Sequence, residues 1–286
     1  MTDKENRELI ILRMRRVFSY FFLIILSIAC LFSFYILLVN STKYHVDITR
    51  GFSAIPGKAF LKNFKNLMNN PNLPVFRGVI NSFIVAACTA ILTTYFSSLT
   101  AYAIHVYNFK GKKAVFTFIL MIMMIPQQVY ALGFVSLIRD MKLMNSFIPL
   151  IVPSIAAPIV FFYIKQYMES SLPLEIVEAA RIDGSSEFRA FNTIILPIMK
   201  PSIAVQMIFA FTASWNNFFV PSLLLNNRAK KTLPILIQQL RSADFLKQDY
   251  GQVYMMMFIS IFPAIIVYLF LSKSIVQGIA IGSVKG

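Results

Sequence analysis

The stretch Glu178-Ala179-Ala180-Arg181-Ile182-Asp183-Gly184 lies inside a polar segment, Lys165 to Lys200, of a chain otherwise apolar enough to live in lipid. Around it, the segment reads as two short helices with a tight break. Ser171 and Pro173 are helix-start residues, and Asp183-Gly184 is a helix stop. Beyond the stop, Ser185 or Ser186 can cap a second helix that has Glu187 in its first turn. Phe188, Phe191, Ile194 and Ile195 then fall on one face at helical spacing. Leu196-Pro197 is expected to end that helix, and Pro201 opens the next apolar run. Ala179 and Ala180 should leave a smooth patch that a partner surface can approach closely.

The rest of the chain explains why such a segment stands out. Of 286 residues, 57% are hydrophobic and only 14% charged, with 28 Phe and 14 Met, and the mean hydropathy is +0.68. That composition indicates a polytopic membrane protein rather than soluble domains. A net charge of +15 would suit nucleic acid, but the basic residues sit in short connections without a continuous basic face. Loops beside anionic headgroups account for them better, and no nucleic-acid partner is expected.

Apolar runs at 17–39, 79–104, 114–138, 147–164, 201–225 and 251–271 give about six spans of an all-α fold. They follow a cytoplasmic amino-terminal segment, 1–16, and precede a tail, 274–286. The first run is too long for a signal peptide and lacks a small-x-small cleavage site, so an uncleaved span is expected. The loop from Asn40 to Arg77 has room for an interfacial helix near Ala59 to Met68. Pro126 should break the third span, and Pro149, Pro153 and Pro158 should kink or unwind the fourth. Arg7, Arg13, Arg15, Arg16 and Lys110, Lys112, Lys113 favour amino and carboxyl termini in the cytoplasm. The basic residues between Asn226 and Tyr250 argue the other way.

Asp and Glu are confined to termini and connections, and Lys and Arg are absent from the expected span interiors. Transport driven by protons or sodium ordinarily needs an ionisable group at membrane depth. There is no phosphate-binding G-x-x-x-x-G-K-[ST] loop, and neither H-E-x-x-H nor G-x-S-x-G occurs. No catalytic residue, cofactor or metal site is therefore expected. Cys30 and Cys88 fall in apolar runs, and His45 and His105 are far apart. Energy must come from another subunit, or the chain is an autonomous channel or facilitator.

Amides inside the spans are the candidate pathway residues. Trp215, Asn216 and Asn217 combine a stacking face with donor-and-acceptor groups, which suits an uncharged polyhydroxylated solute. Gln127 and Gln128 follow the kinking Pro126. Asn81, Ser82, Gln206 and Thr212 rank lower. Amides that only hold helices together, and a Trp at the interface, are the competing readings.

Glu178-Ala179-Ala180, Asp183-Gly184, Ile195-Leu196-Pro197 and Pro201 together resemble the EAA loop of ABC-importer permeases. A bare Glu-Ala-Ala would fit a hairpin lying on headgroups equally well; Gly184 and both prolines in register favour the loop. The resemblance implies a type I importer permease. It assigns docking on a cytoplasmic ATPase to Glu178, Ala179, Ala180, Asp183, Gly184, Phe191, Leu196 and Pro197. The Gly-rich ending, with Gly278, Gly282, Lys285 and Gly286, resembles that of maltose-type carbohydrate permeases, whose tail reaches into the ATPase dimer. This second resemblance implies the smaller permease of a heterodimer in a bacterial cytoplasmic membrane. Its companions would be two ATP-binding subunits holding ATP and Mg, an extracytoplasmic solute-binding protein and a carbohydrate. A polyol or glycerol phosphodiester is the alternative solute.

Overall fold

The computed structural model describes residues 3–242 and 248–283, and every regular element among them is helical. The helices run α1 (Asp3–Ser41), α2 (His45–Thr49), α3 (Phe60–Met68), α4 (Val75–Val106), α5 (Lys112–Met123), α6 (Gln127–Asp140), α7 (Ile148–Ile151) and α8 (Pro158–Ser171). They continue as α9 (Leu174–Ile182), α10 (Glu187–Ala190), α11 (Leu196–Ile198), α12 (Lys200–Trp215), α13 (Phe219–Leu224), α14 (Leu233–Arg241) and α15 (Tyr250–Ser283). Four stretches are long and apolar enough to cross a membrane: Leu12–Ser41, Val75–Val106, Ile148–Ser171 and Tyr250–Ser272. Two bent pairs bring the total to as many as 6 if each counts as one span.

The chain divides into two compact units, Met1–Asn69 with Leu240–Ile259, and Asn70–Gln239 with Ser260–Gly286. In the first, the segment after α1 is tied down by buried polar groups. Asn63 Nδ2 donates to the carbonyls of Ser41 (2.9 Å) and Lys43 (2.8 Å). Lys43 Nζ donates to the Ser53 carbonyl, and the His45 ring stacks on Tyr250 with centroids 5.2 Å apart. A helix does form near 59–68, as α3.

The second unit is organised around α4, which packs along α12 and α8. Its buried face is built from small residues (Ser82, Ala86, Ala90, Thr94, Ser97, Ser98 and Ala101), and small side chains let membrane helices approach closely. The prolines of the fourth span act as expected. A 3-10 turn, Val152–Ile155, separates α7 from α8. α4 hydroxyls meet the carbonyls freed there: Thr93 Oγ1 to Ser154 at 2.8 Å, and Ser97 Oγ to Ala157 at 3.5 Å. This is how a broken helix survives in lipid.

Several bounds differ from expectation. The third run breaks at Pro126 as expected, into two helices bent by 96°, but its helices reach from Lys112 to Asp140. α8 runs on to Ser171, beyond the expected end at 164. The run 201–225 is interrupted between Trp215 and Phe219, because Pro221 has no N–H to continue a helix through Asn217. The expected loop from 226 to 250 contains α14, and the helix of the last span continues into the expected tail, to Ser283.

Candidate functional site

The polar segment folds as helix, break, helix. Pro173 sits extended before α9, where its missing N–H costs nothing. Asp183 ends α9, and Gly184 comes next at φ +76°. Ser185 N–H bonds the Ala180 carbonyl and Gly184 N–H bonds the Arg181 carbonyl, each at 3.0 Å. This paired closure, a Schellman motif, requires a left-handed residue at the position of Gly184. Val177 and Ala180 are buried, while Glu178 and Ala179 are exposed. The smooth exposed patch expected from both alanines is thus Ala179 alone, since Ala180 packs inward.

The second half is one continuous element in three parts: α10, a π-helical turn over Phe191–Ile195, then α11. Leu196-Pro197 does not end it. The π turn shifts the bonding so that Leu196 N–H reaches the Phe191 carbonyl, and the helix carries Pro197 and closes at Ile198. It then turns by 82° into α12. Phe191 and Ile195 are buried as expected, but Phe188 is 68% exposed.

Glu187 fastens this element to both neighbours. Its Oε1 accepts from Arg181 Nε at 2.6 Å across the break. Its Oε2 accepts from Tyr102 Oη at 3.0 Å and Tyr107 Oη at 2.6 Å, at the end of α4. The hydrogen bond from Arg181, and then that from Tyr107, hold the Glu187 carboxyl down at about 2. Burial and the bond to Glu187 push the Tyr107 hydroxyl up. Phe191 inserts its ring against Tyr102 (5.4 Å) and Tyr95 (5.9 Å), and Tyr95 Oη donates to Asn192 Oδ1 at 3.2 Å. Val177, Leu172, Ile195 and Met199 complete a core with Ile104, Phe161, Ile164 and Met168. The polar element, α4 and α8 thus share one close-packed core.

A cavity of about 1110 Å³ opens among α4, α6, α7, α8, α12 and α13. Apolar side chains dominate its wall, with polar groups from Ser82, Thr89, Thr93, Ser154, Gln206, Ser214, Asn217 and Thr232, and no Lys, Arg, Asp, Glu or His among the lining residues. Of the expected pathway residues, Asn217 and the lower-ranked Ser82 and Gln206 line it, and Trp215, Asn216, Gln128 and Thr212 do not. Trp215 is 3% exposed, stacks on Phe211 with centroids 5.8 Å apart, and donates Nε1 to the Ser260 carbonyl at 3.1 Å. Its place is the helix interface. Asn216 is exposed at the end of α12, Gln128 is exposed on α6, and the Gln127 side chain lies outside the described residues. Asn81 braces the connection between α13 and α14, donating to the carbonyls of Ala229 and Lys231, both at 3.0 Å. Gly278 and Gly282 lie on the backbone of α15; Lys285 and Gly286 lie outside the described residues.

Sequence reasoning missed Tyr95, Tyr102, Tyr107 and Arg181. The available signal was the spacing of Tyr95 and Tyr102, two helical turns apart on one face of an apolar run. Among the described residues no cluster of His, Cys, Asp or Glu suits a metal ion.

A multi-span chain with an uncharged cavity among its helices, and a polar element packed onto them, has the architecture of a transport subunit. Residues 93–280 match the binding-protein-dependent transport system inner membrane component family, and the chain belongs to that family. It is 33% identical over 278 residues to the arabinooligosaccharides transport system permease protein AraQ of Bacillus subtilis (strain 168), covering 95% of this chain and 96% of that one. It is 27% identical to the lactose transport system permease protein LacG of Rhizobium radiobacter (96% and 97% covered). It is 28% identical to the sn-glycerol-3-phosphate transport system permease protein UgpE of Salmonella typhi (92% and 95%). The crystal structure of a bacterial ABC transporter involved in the import of the acidic polysaccharide alginate superimposes with a TM-score of 0.76 at 18% identity, covering 91% of this chain and 96% of that one, a likeness of fold. The protein is accordingly a multi-pass inner-membrane permease subunit of an ABC importer, working with a separate ATPase and a solute-binding protein, and is not itself an enzyme.

Proposed function

We propose that this chain forms half of the translocation pathway for a neutral sugar or oligosaccharide. The observation that carries the substrate class is the cavity, whose polar groups are hydroxyls and amides without a charged side chain. Relatives named for arabinooligosaccharides and lactose point the same way. A phosphate-bearing solute is the second reading, favoured by the relative named for sn-glycerol-3-phosphate. It lacks a cation to meet it in this cavity.

In this reading the other half comes from a second, different permease. Glu178, Ala179 and the Asp183-Gly184 turn face one of two cytoplasmic ATPase subunits, where ATP and Mg are held. Phe191, Leu196 and Pro197 carry the movement inward, and the carboxyl-terminal segment from Gly278 to Gly286 adds a second contact. Both termini are cytoplasmic, as the basic flank Arg13-Met14-Arg15-Arg16 favours. The 40–77 and 226–250 connections then face the solute-binding protein. ATP-driven closure of the ATPase dimer moves α9 and α10, and their shared core with α4 and α8 reorients the spans.

Affinity purification of this chain from its native membrane in mild detergent, beside Glu178→Lys, tests the coupling. Mass spectrometry should recover a second permease and a phosphate-loop ATPase from the wild type, with the ATPase lost in the variant. A chain recovered alone, or a homo-oligomer indifferent to the substitution, would mean an autonomous channel instead.

A further inference from the structure

Thr89 and Thr232 both border the cavity, and the hydroxyl of each is buried without a hydrogen-bond partner in the protein. Each departs from the habit of its position. Hydroxyls within membrane helices ordinarily bond back to a carbonyl one turn earlier. On the same helix α4, Thr94 does so to Ala90 (2.8 Å), Ser98 to Thr94 (2.7 Å) and Thr100 to Phe96 (2.9 Å). Thr89 does not. Thr232 stands immediately before α14, where a threonine hydroxyl ordinarily accepts from an amide of the first turn. Here those amides, of Ile235 and Leu236, bond the Thr232 backbone carbonyl at 3.1 and 3.2 Å, and the side chain, only 3% exposed, is left over.

The Gln206 amide is the third member. It lies on α12, lines the same cavity and is 7% exposed, and it makes no hydrogen bond among the described residues. Ala210 and Ala213 come after it on the cavity side and leave room there. Native proteins rarely bury donors and acceptors without partners, so two such hydroxyls bordering one cavity that an unbonded carboxamide also lines mark a place where a bound molecule completes the bonding. Two hydroxyls and a carboxamide offer donors and acceptors and no charge. That chemistry matches sugar hydroxyls and is poor for phosphate or carboxylate.

We infer that Thr89, Thr232 and Gln206 form a solute-contact site within this subunit, each bonding a hydroxyl of a neutral saccharide in transit. The inference rests on the carbohydrate reading above and deepens it by naming the contacts. Losing one such bond should weaken discrimination about three- to tenfold.

The test uses the complete importer with its solute-binding protein in proteoliposomes. The probes are maltose, lactose, an arabinotriose, single-deoxy analogues of whichever sugar is taken up, and sn-glycerol 3-phosphate. Wild type should prefer the parent sugar to one of its deoxy analogues in the membrane step, read as kcat/KM at saturating binding protein already loaded with solute. Thr89→Val, Thr232→Val or Gln206→Leu should each erase that preference for a particular deoxy position, and Thr→Ser should restore it. A variant that only loosens packing would slow parent and analogue alike, so unchanged discrimination in all three variants overturns the site while sugar uptake stands. Uptake of sn-glycerol 3-phosphate, with none of the sugars, would overturn the carbohydrate reading and the site with it.

Discussion

Tyr102 donates a hydrogen bond to Glu187 across 3.0 Å, joining residues 85 positions apart. That bond, together with those from Tyr107 and Arg181, registers the second half of the polar element against the end of α4. Tyr102→Phe keeps the ring beside Phe191 and removes only this bond. The importer should then hydrolyse more ATP per solute moved, because the element can shift without carrying α4 with it. The ratio of phosphate released to solute accumulated in proteoliposomes measures this, and an unchanged ratio counts against transmission through Tyr102.

The same carboxylate sets a pH window. Glu187 titrates at about 2 in the fold against an ordinary value of 4.5. A depressed folded value means its stabilisation is complete above about 4.5 and is lost as pH falls through about 2. With the Glu187 side chain 45% exposed, solvent screening holds the contribution to about 1 kcal/mol. The gap in thermal midpoint between wild type and Glu187→Gln, measured in detergent, should stay constant from neutral pH to about pH 5 and close only below that. A gap that has already closed at pH 6 would mean the carboxylate is not held by Arg181 and Tyr107.

Gly184 isolates backbone geometry from contact. It sits at φ +76°, and a Cβ there would meet no atom within 4 Å. Gly184→Val should therefore cost about 1–2 kcal/mol through the left-handed backbone alone, while Gly184→Asn, which tolerates that region, should cost less. Co-purification of the ATPase should fall with Val and persist with Asn. Equal loss with both would mean the ATPase reads a bare glycine surface rather than the angle of the break.

Local chemistry makes the helix–break–helix readable, since Pro173, Asp183-Gly184 and Glu187 each carry their meaning within a turn of chain. What periodicity cannot supply is the extent of the neighbour. Phe188 shares the face of Phe191 by spacing, yet it stands in the open first turn of α10 while Phe191 is buried against α4. Pro197 misleads because a π turn is not encoded by hydrophobic spacing. Trp215 misleads for a related reason: an aromatic beside amides has the same sequence whether it faces a cavity or another helix. Thr232 and Gln206 come together only through tertiary packing, and nothing in either's local sequence distinguishes a bonded polar group from an unbonded one.

Gly251 is a close-packing glycine. A Cβ there would come within 2.7 Å of Asn63 Oδ1 and 2.9 Å of its Nδ2. Asn63 is the buried amide that holds the Ser41 and Lys43 carbonyls. Gly251→Ala should displace it and cost about 1–3 kcal/mol through unsatisfied buried groups, seen as a lower thermal midpoint. Asn63→Ala added to Gly251→Ala should cost little more, because the alanine has already removed the same bonds. Fully additive losses would mean the two side chains act independently.

Trp215 gives the sharpest separation between packing and solute contact. Trp215→Ala removes the stack on Phe211 and the bond to Ser260, and should cost about 3–5 kcal/mol. Trp215→Phe preserves an aromatic ring in the stack and loses one hydrogen bond, about 0.5–1.5 kcal/mol. Since the indole does not line the cavity, Trp215→Phe should lower the thermal midpoint of the complex and leave the KM for sugar where it was. A KM raised about tenfold with an unmoved midpoint would reverse the assignment. The indole would then face the solute in a conformation the importer visits during transport, and its burial against α15 would belong to the resting state alone.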